Sequence, residues 1–154
     1  MENLEGEIVL PDLQALEMIA IRLAEQLTGG DVVLLKGELG AGKTTFTQML
    51  AHALGAQERV PSPTFTIEAR YPLSGAQAQE LVHIDLYRLS SLQGGSEDTL
   101  HFQELFDGSR EQGRIVVVEW AERLGSTAPP SFWELQFKHG SSGNSRTVIV
   151  THHV

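Results

Sequence analysis

The octapeptide Gly37-Glu38-Leu39-Gly40-Ala41-Gly42-Lys43-Thr44 limits this chain more than any other stretch. It fits the pattern G-x-x-x-x-G-K-[ST] without a mismatch. Gly37, Gly40 and Gly42 lack Cβ, so the backbone can take positive φ and curl its N–H groups around anionic oxygens. Lys43 can set a compact positive charge between the β- and γ-phosphates of a nucleotide, and the Thr44 hydroxyl suits a hard cation such as Mg²⁺. The expected ligand is a nucleotide phosphate tail with its magnesium ion, held by the octapeptide and the adjoining Thr45.

The flanks have the right order. Asp31 to Lys36 (DVVLLK) is a short apolar run after Gly29-Gly30, which suits a buried parallel strand. Thr44 to Leu54 repeats apolar residues at helical spacing, Phe46, Met49, Leu50 and Leu54, with Gly55 placed to end the helix. Strand, loop and helix would then aim the positive end of the helix dipole at the phosphates.

A length of 154 residues is one domain's worth, so residues 1–154 are expected to form a single domain. The formal charge of -9 argues against a stand-alone binder of nucleic acid or acidic membrane, since either polyanion would be repelled. A local basic patch stays open. With no cysteine there is neither a disulfide framework nor a thiolate metal site, and metal chemistry must use oxygen or histidine. No apolar run approaches a signal segment or membrane span, so the expected location is the cytoplasm.

Glu7 to Leu10 reads as a brief strand. Pro11-Asp12 then opens a helix to about Leu27 with Leu13, Leu16, Ile19, Ala20, Leu23 and Leu27 along one stripe. Between Arg59 and Tyr71 two prolines flank Ser62, and a strand follows from Thr64. This is either a rigid turn into an edge strand or a switch-like loop whose hydroxyls reach the γ-phosphate or metal.

Glu80 to Asp85 (ELVHID) is the next apolar strand, and Asp85 lies at its carboxyl end, where open α/β sheets collect ligands. His83, on the same strand face, reads as a packed histidine or a partner to a ligand rather than a ligand itself. Arg88 could serve a phosphate, a partner carboxylate or solvent. A further helix is expected from Ser96-Glu97-Asp98 through Phe102, Leu105 and Phe106.

Arg114 to Glu119 (RIVVVE) is the most hydrophobic strand and ends in an acid, the Walker B pattern in which the carboxylate holds Mg²⁺ directly or through water. Trp120 beside it suits core or site equally. After a helical turn from Ala121 to Gly125, Phe132 to Lys138 and Arg146 to Thr151 alternate around Gly140 to Asn144, a hairpin expected to extend the sheet antiparallel.

GELGAGKTT from Gly37, SPTF from Ser62, HIDLYR from His83 and VVVEW from Val116 occur in this order and together span most of the chain. The combination closely resembles the TsaE (YjeE) family, small bacterial P-loop ATPases required for making threonylcarbamoyladenosine (t6A) in tRNA, at the adenosine next to the anticodon. The resemblance implies an α/β, P-loop NTPase-like fold, with a central, mainly parallel sheet flanked by helices and extended by antiparallel strands. It implies ATP as substrate, Mg²⁺ as cofactor, and TsaB and TsaD as partners, with TsaC supplying threonylcarbamoyl-adenylate and ATP hydrolysis resetting the TsaB–TsaD complex. Any contact with tRNA would be indirect. Carried over by motif, Lys43 binds phosphate, Thr44 and Glu119 ligate Mg²⁺, and Asp85 positions water or metal. Thr64 belongs to the switch-like loop, and Trp120 sits beside the site. Two positions depart from the family. Leu16 stands near the expected nucleotide base, where members often carry Thr, and a Gly-rich stretch from Leu92 to Thr99 replaces an acidic turn.

Other classes fit less of the sequence. A small-molecule kinase would need an acceptor pocket and usually an Arg-bearing lid, and no Arg-rich segment stands out. A GTPase would need an N-K-x-D base-reading segment, which is absent. A nucleotide-dependent assembly module differs from the ATPase only in leaving the γ-phosphate uncleaved.

Overall fold

Two strands each carry four consecutive large apolar residues, which must be covered on both sides. They are β2 (Val32–Gly37) and β6 (Arg114–Glu119). In the computed structural model, which describes residues 4–37, 42–57, 60–61, 68–75, 77–87, 97–139 and 145–154, these strands lie side by side and parallel at the centre of the sheet. Around them come β1 (Gly6–Leu10), α1 (Leu13–Gln26), α2 (Lys43–Ala53), β3 (Val60–Pro61), β4 (Glu68–Pro72), β5 (Glu80–Asp85) and α3 (Glu97–Gly108). A 3-10 segment (Ala121–Thr127), β7 (Phe132–His139) and β8 (Arg146–His153) complete the chain.

The eight strands run in the order β1-β8-β7-β2-β6-β5-β4-β3. The inner four, β7, β2, β6 and β5, are parallel, and the outer pairings on both sides are antiparallel. Strand alternation sorts the side chains into two cores. Val33, Leu35, Leu81, Ile115 and Val117 pack against Leu16, Leu23, Phe46 and Leu50 of α1 and α2. Val32, Leu34, Val82, Ile84, Val116 and Val118 pack against Phe102, Leu105 and Phe106 of α3 and Leu124 of the 3-10 segment. On this second side Glu68 is buried, yet it accepts from Arg70 Nε at 3.2 Å and lies 2.8 Å from His101 Nε2 of α3.

The parallel core flanked by helices and extended by antiparallel strands matches the expected fold class, although three parallel pairings against four antiparallel ones make the sheet mixed, and one further detail differs. The C-terminal hairpin is antiparallel within itself, but β7 joins β2 in parallel, so the antiparallel extension begins only at β8. The 3-10 segment carries the chain from the end of β6 across β2, and β7 therefore starts at the same end as its neighbours. Leu13, placed on the buried stripe of α1 by its spacing, is 66% exposed. As the first helical residue it borders an open cavity rather than the sheet. Within the segment read as either a rigid turn into an edge strand or a switch-like loop, Val60–Pro61 already pairs with β4 as a short edge strand, and the strand expected from Thr64 is described from Glu68 onward.

Among the described residues no helix is long and apolar enough to cross a membrane.

Candidate functional site

The parallel strands β2, β5 and β6 end together. Asp85 lies opposite Glu119 in the ladder, and Glu119 lies opposite Leu35, two residues before Gly37. Odd-numbered residues of these strands face α1 and α2, so Glu119, Asp85 and His83 look toward the N-terminus of α2. Gly42 caps that helix with φ of 107°, a conformation open to glycine, and offers no side-chain acceptor to its first turn. The helix start is therefore available for an anion.

Six contacts define the site. The Thr44 hydroxyl donates to Glu119 Oε1 at 2.8 Å, and Glu119 Oε2 lies 2.5 Å from His83 Nε2. Lys43 Nζ donates to the Gly37 carbonyl at 2.6 Å and stands 3.4 Å from the Trp120 ring centroid. Asp85 Oδ1 accepts the Tyr87 N–H at 3.0 Å, which fixes the turn after β5. Arg123 donates to the Tyr87 carbonyl at 2.6 Å, joining that turn to the 3-10 segment after Trp120.

Lys43 and Glu119 are both buried, with exposures of 4% and 2%. Desolvation pushes the Lys43 ammonium below the usual lysine range, while Glu122, Glu119 and Asp85 pull it back up. Trp120 carries φ of 59°, the one positive φ outside glycine among the described residues. Such backbone is uncommon for a bulky residue and clusters at functional sites. It turns the indole onto Lys43, with Tyr87 at 5.2 Å ring to ring.

Gly42, Lys43, Thr44, Thr45, Asp85, Glu119 and Trp120 thus line one cavity of about 230 Å³, together with Tyr87. Gly37 stands at its edge through the Lys43 bond. Glu38, Leu39, Gly40, Ala41 and Thr64 lie outside the described residues, as do Ser62 and Arg88. Gly42 and Thr45 also line a second cavity of about 630 Å³, walled by Leu10, Pro11, Leu13 and Leu16 with Asp12, Gln14 and Arg146 at its polar positions. Two cavities that share Gly42 and Thr45, a small one carrying the charged and hydroxyl side chains and a larger, mainly apolar one, suit a phosphorylated molecule with a flat apolar part.

Three residues escaped the sequence reading. Glu122 accepts the Gly37 N–H at 3.3 Å, a contact across 85 positions whose only sequence hint is an acid one helical turn after Glu119. Arg123 had no signal beyond its closeness to Trp120. Arg146 reaches the second cavity from β8 and had none. The oxygen donors Thr44, Asp85 and Glu119 fit a hard divalent cation, but among the described residues no three His, Cys, Asp or Glu side chains gather into a metal cage. Such a donor set suits a cation shared with phosphate oxygens and water.

Known proteins resemble this chain over most of its length. The family model described as threonylcarbamoyl adenosine biosynthesis protein TsaE matches residues 10–148. A protein of Synechocystis sp. named tRNA threonylcarbamoyladenosine biosynthesis protein TsaE is 41% identical over 118 residues, covering 77% of this chain and 71% of its own length. One of the same name from Nostoc sp. is 35% identical over 148 residues, covering 93% and 84%. The crystal structure of Bacillus subtilis YdiB superposes with a TM-score of 0.71 at 28% identity, covering 96% of this chain and 85% of that one.

Proposed function

This chain belongs to the TsaE family, which serves t6A biosynthesis in tRNA, and from that premise we propose that it is a Mg²⁺-dependent ATPase driving turnover of a TsaB–TsaD complex. The observation that carries this reading is the Thr44–Glu119 hydrogen bond, which joins the hydroxyl of the phosphate-loop motif to the acid ending the apolar strand.

The chain's own groups divide the task. Lys43 leaves the Gly37 carbonyl and the Trp120 face to meet the β- and γ-phosphates. N–H groups at the start of α2 donate to the oxygens of the phosphate tail. Thr44 and Glu119 would hold Mg²⁺, which would supply positive charge where the leaving diphosphate becomes more negative. Asp85, held by its own turn through Oδ1, keeps its second oxygen to orient the attacking water in line with the leaving group. Tyr87 and Trp120 wall this corner with apolar surface.

The larger cavity receives the nucleoside. Leu16, a departure from the family's frequent Thr, adds apolar surface for the base, and Arg146 stands within its lining. The whole acts as one cytoplasmic P-loop domain. Its partners complete the site, so the isolated chain turns over slowly, and tRNA is met only through them.

Phosphate release by the purified chain, followed in Mg²⁺ and in EDTA with all phosphorylated products identified, tests the reading. Slow, Mg²⁺-dependent formation of ADP and inorganic phosphate is expected. Transfer of the γ-phosphate to a small-molecule acceptor in place of water would contradict it.

A further inference from the structure

Glu119 is a buried carboxylate with both oxygens engaged, Oε1 by the Thr44 hydroxyl and Oε2 by His83 Nε2 at 2.5 Å. An ionised carboxylate only accepts, so Nε2–H is the donor. His83 pairs in the ladder with Val117, two positions before Glu119, whereas Asp85 lies opposite Glu119 itself. The imidazole therefore grips the carboxylate from behind, on the side away from the strand end. We propose that His83 is a positioning residue for metal and nucleotide binding: by tethering Oε2 it fixes the Glu119 rotamer and aims Oε1 at Thr44 and the cation.

Three physical points favour this role over simple packing. A buried carboxylate needs its hydrogen bonds, and without His83 the free oxygen would turn toward whatever donor it could reach. A glutamate has three side-chain torsions, so one anchored oxygen removes most of the freedom of the other. His83 is also ill suited to be a ligand, because its Nε2 is committed to Glu119 and Mg²⁺ prefers oxygen. Partners of metal-bound side chains act in this way, and their loss weakens metal affinity by about 10- to 100-fold.

The proposal rests on the ATPase reading above, and its test separates the two. Mn²⁺ binding by electron paramagnetic resonance, in the presence of ADP, is compared among the unaltered full chain, His83→Met and His83→Gln. His83→Met keeps most of the volume without an N–H donor, and His83→Gln keeps a donor near the place of Nε2. The expected result is about 10- to 100-fold weaker Mn²⁺ binding in His83→Met, most of it regained in His83→Gln, with ADP binding in EDTA within about twofold for all three. If His83→Met does not fold, as judged by its thermal melt, His83→Ala replaces it under the same criterion. Equal Mn²⁺ affinity in the donor-free variant and the unaltered chain overturns the positioning role, and so does an equal loss in His83→Gln. An unaltered chain that binds no Mn²⁺ with nucleotide overturns the ATPase reading itself.

Discussion

The Lys43 ammonium rests 3.4 Å from the Trp120 ring centroid while it donates to the Gly37 carbonyl at 2.6 Å. A cation over an indole face is stabilised by the ring quadrupole, by about 2 kcal/mol where water is excluded. Phosphate must compete with both partners for the same ammonium. Lys43 is thus poised, already enclosed and held by groups weaker than a triphosphate.

Trp120 should therefore report nucleotide binding. The chain has two tryptophans, and Trp133 is buried on β7 and stacked on His152. In a Trp133→Phe background the remaining emission should shift on adding ADP, and the shift should vanish with Lys43→Ala. Emission indifferent to saturating ADP would mean that the Lys43–Trp120 contact survives binding.

Asp85 and Lys43 should separate binding from turnover. Asp85→Ala is expected to keep nucleotide affinity and lower kcat by about 10²- to 10⁴-fold, the usual contribution of a group that orients or activates a nucleophile. Lys43→Ala should weaken nucleotide binding by about 10- to 100-fold, as expected for one charge-assisted contact, and lower turnover as well. Isothermal titration calorimetry and phosphate release measure the two effects. Normal hydrolysis by Asp85→Ala would remove the water-orienting role.

Gly37 carries φ of 139°, and a Cβ there would stand 2.5 Å from the Phe137 carbonyl of β7. Gly37→Ala should destabilise the fold by about 2–5 kcal/mol through backbone strain and overpacking together. Gly108, in the last turn of α3, has open space around its Cβ position and no positive φ. Gly108→Ala should stabilise by about 0.4–1 kcal/mol by narrowing the unfolded ensemble. Denaturant midpoints for the two variants should move in opposite directions.

Burial holds the Lys43 pKa below the ordinary value of 10.5, so the folded chain penalises the charged form. Between the lowered folded value and 10.5 the unfolded chain binds more protons, and stability gains from Lys43 as pH rises through that window. Phosphate beside the ammonium acts in the opposite sense and raises its pKa. ADP binding at alkaline pH should therefore take up protons, seen by calorimetry in buffers of different ionisation enthalpy and abolished in Lys43→Ala.

The centre of the fold was legible because its signals are local. Strand β6 carries four apolar residues in a row and ends in Glu119, β2 leads straight into the glycines, and α2 with its C-cap repeats Phe46, Leu50 and Leu54 at helical spacing. Gly55 ends that helix with φ of 84°, as its position suggested. The direction of β7 was not legible, since period-two alternation reports which face is buried and not which way the neighbour runs. Leu13 follows the helical stripe in sequence but projects past the sheet, a fact of helix placement. At the site, the motif residues announce their chemistry by type and spacing. The Glu122 contact with Gly37 and the presence of Arg146 in the same cavity lining as Leu16 depend on the sheet order and have no local trace.

The most direct test of the central claim is ATP hydrolysis by the purified chain with Mg²⁺, alone and with TsaB and TsaD added. Stimulation by the pair, with ADP and inorganic phosphate as the products, is the predicted result. A rate unchanged by TsaB and TsaD, together with turnover that depends on a metabolite acceptor, would contradict it.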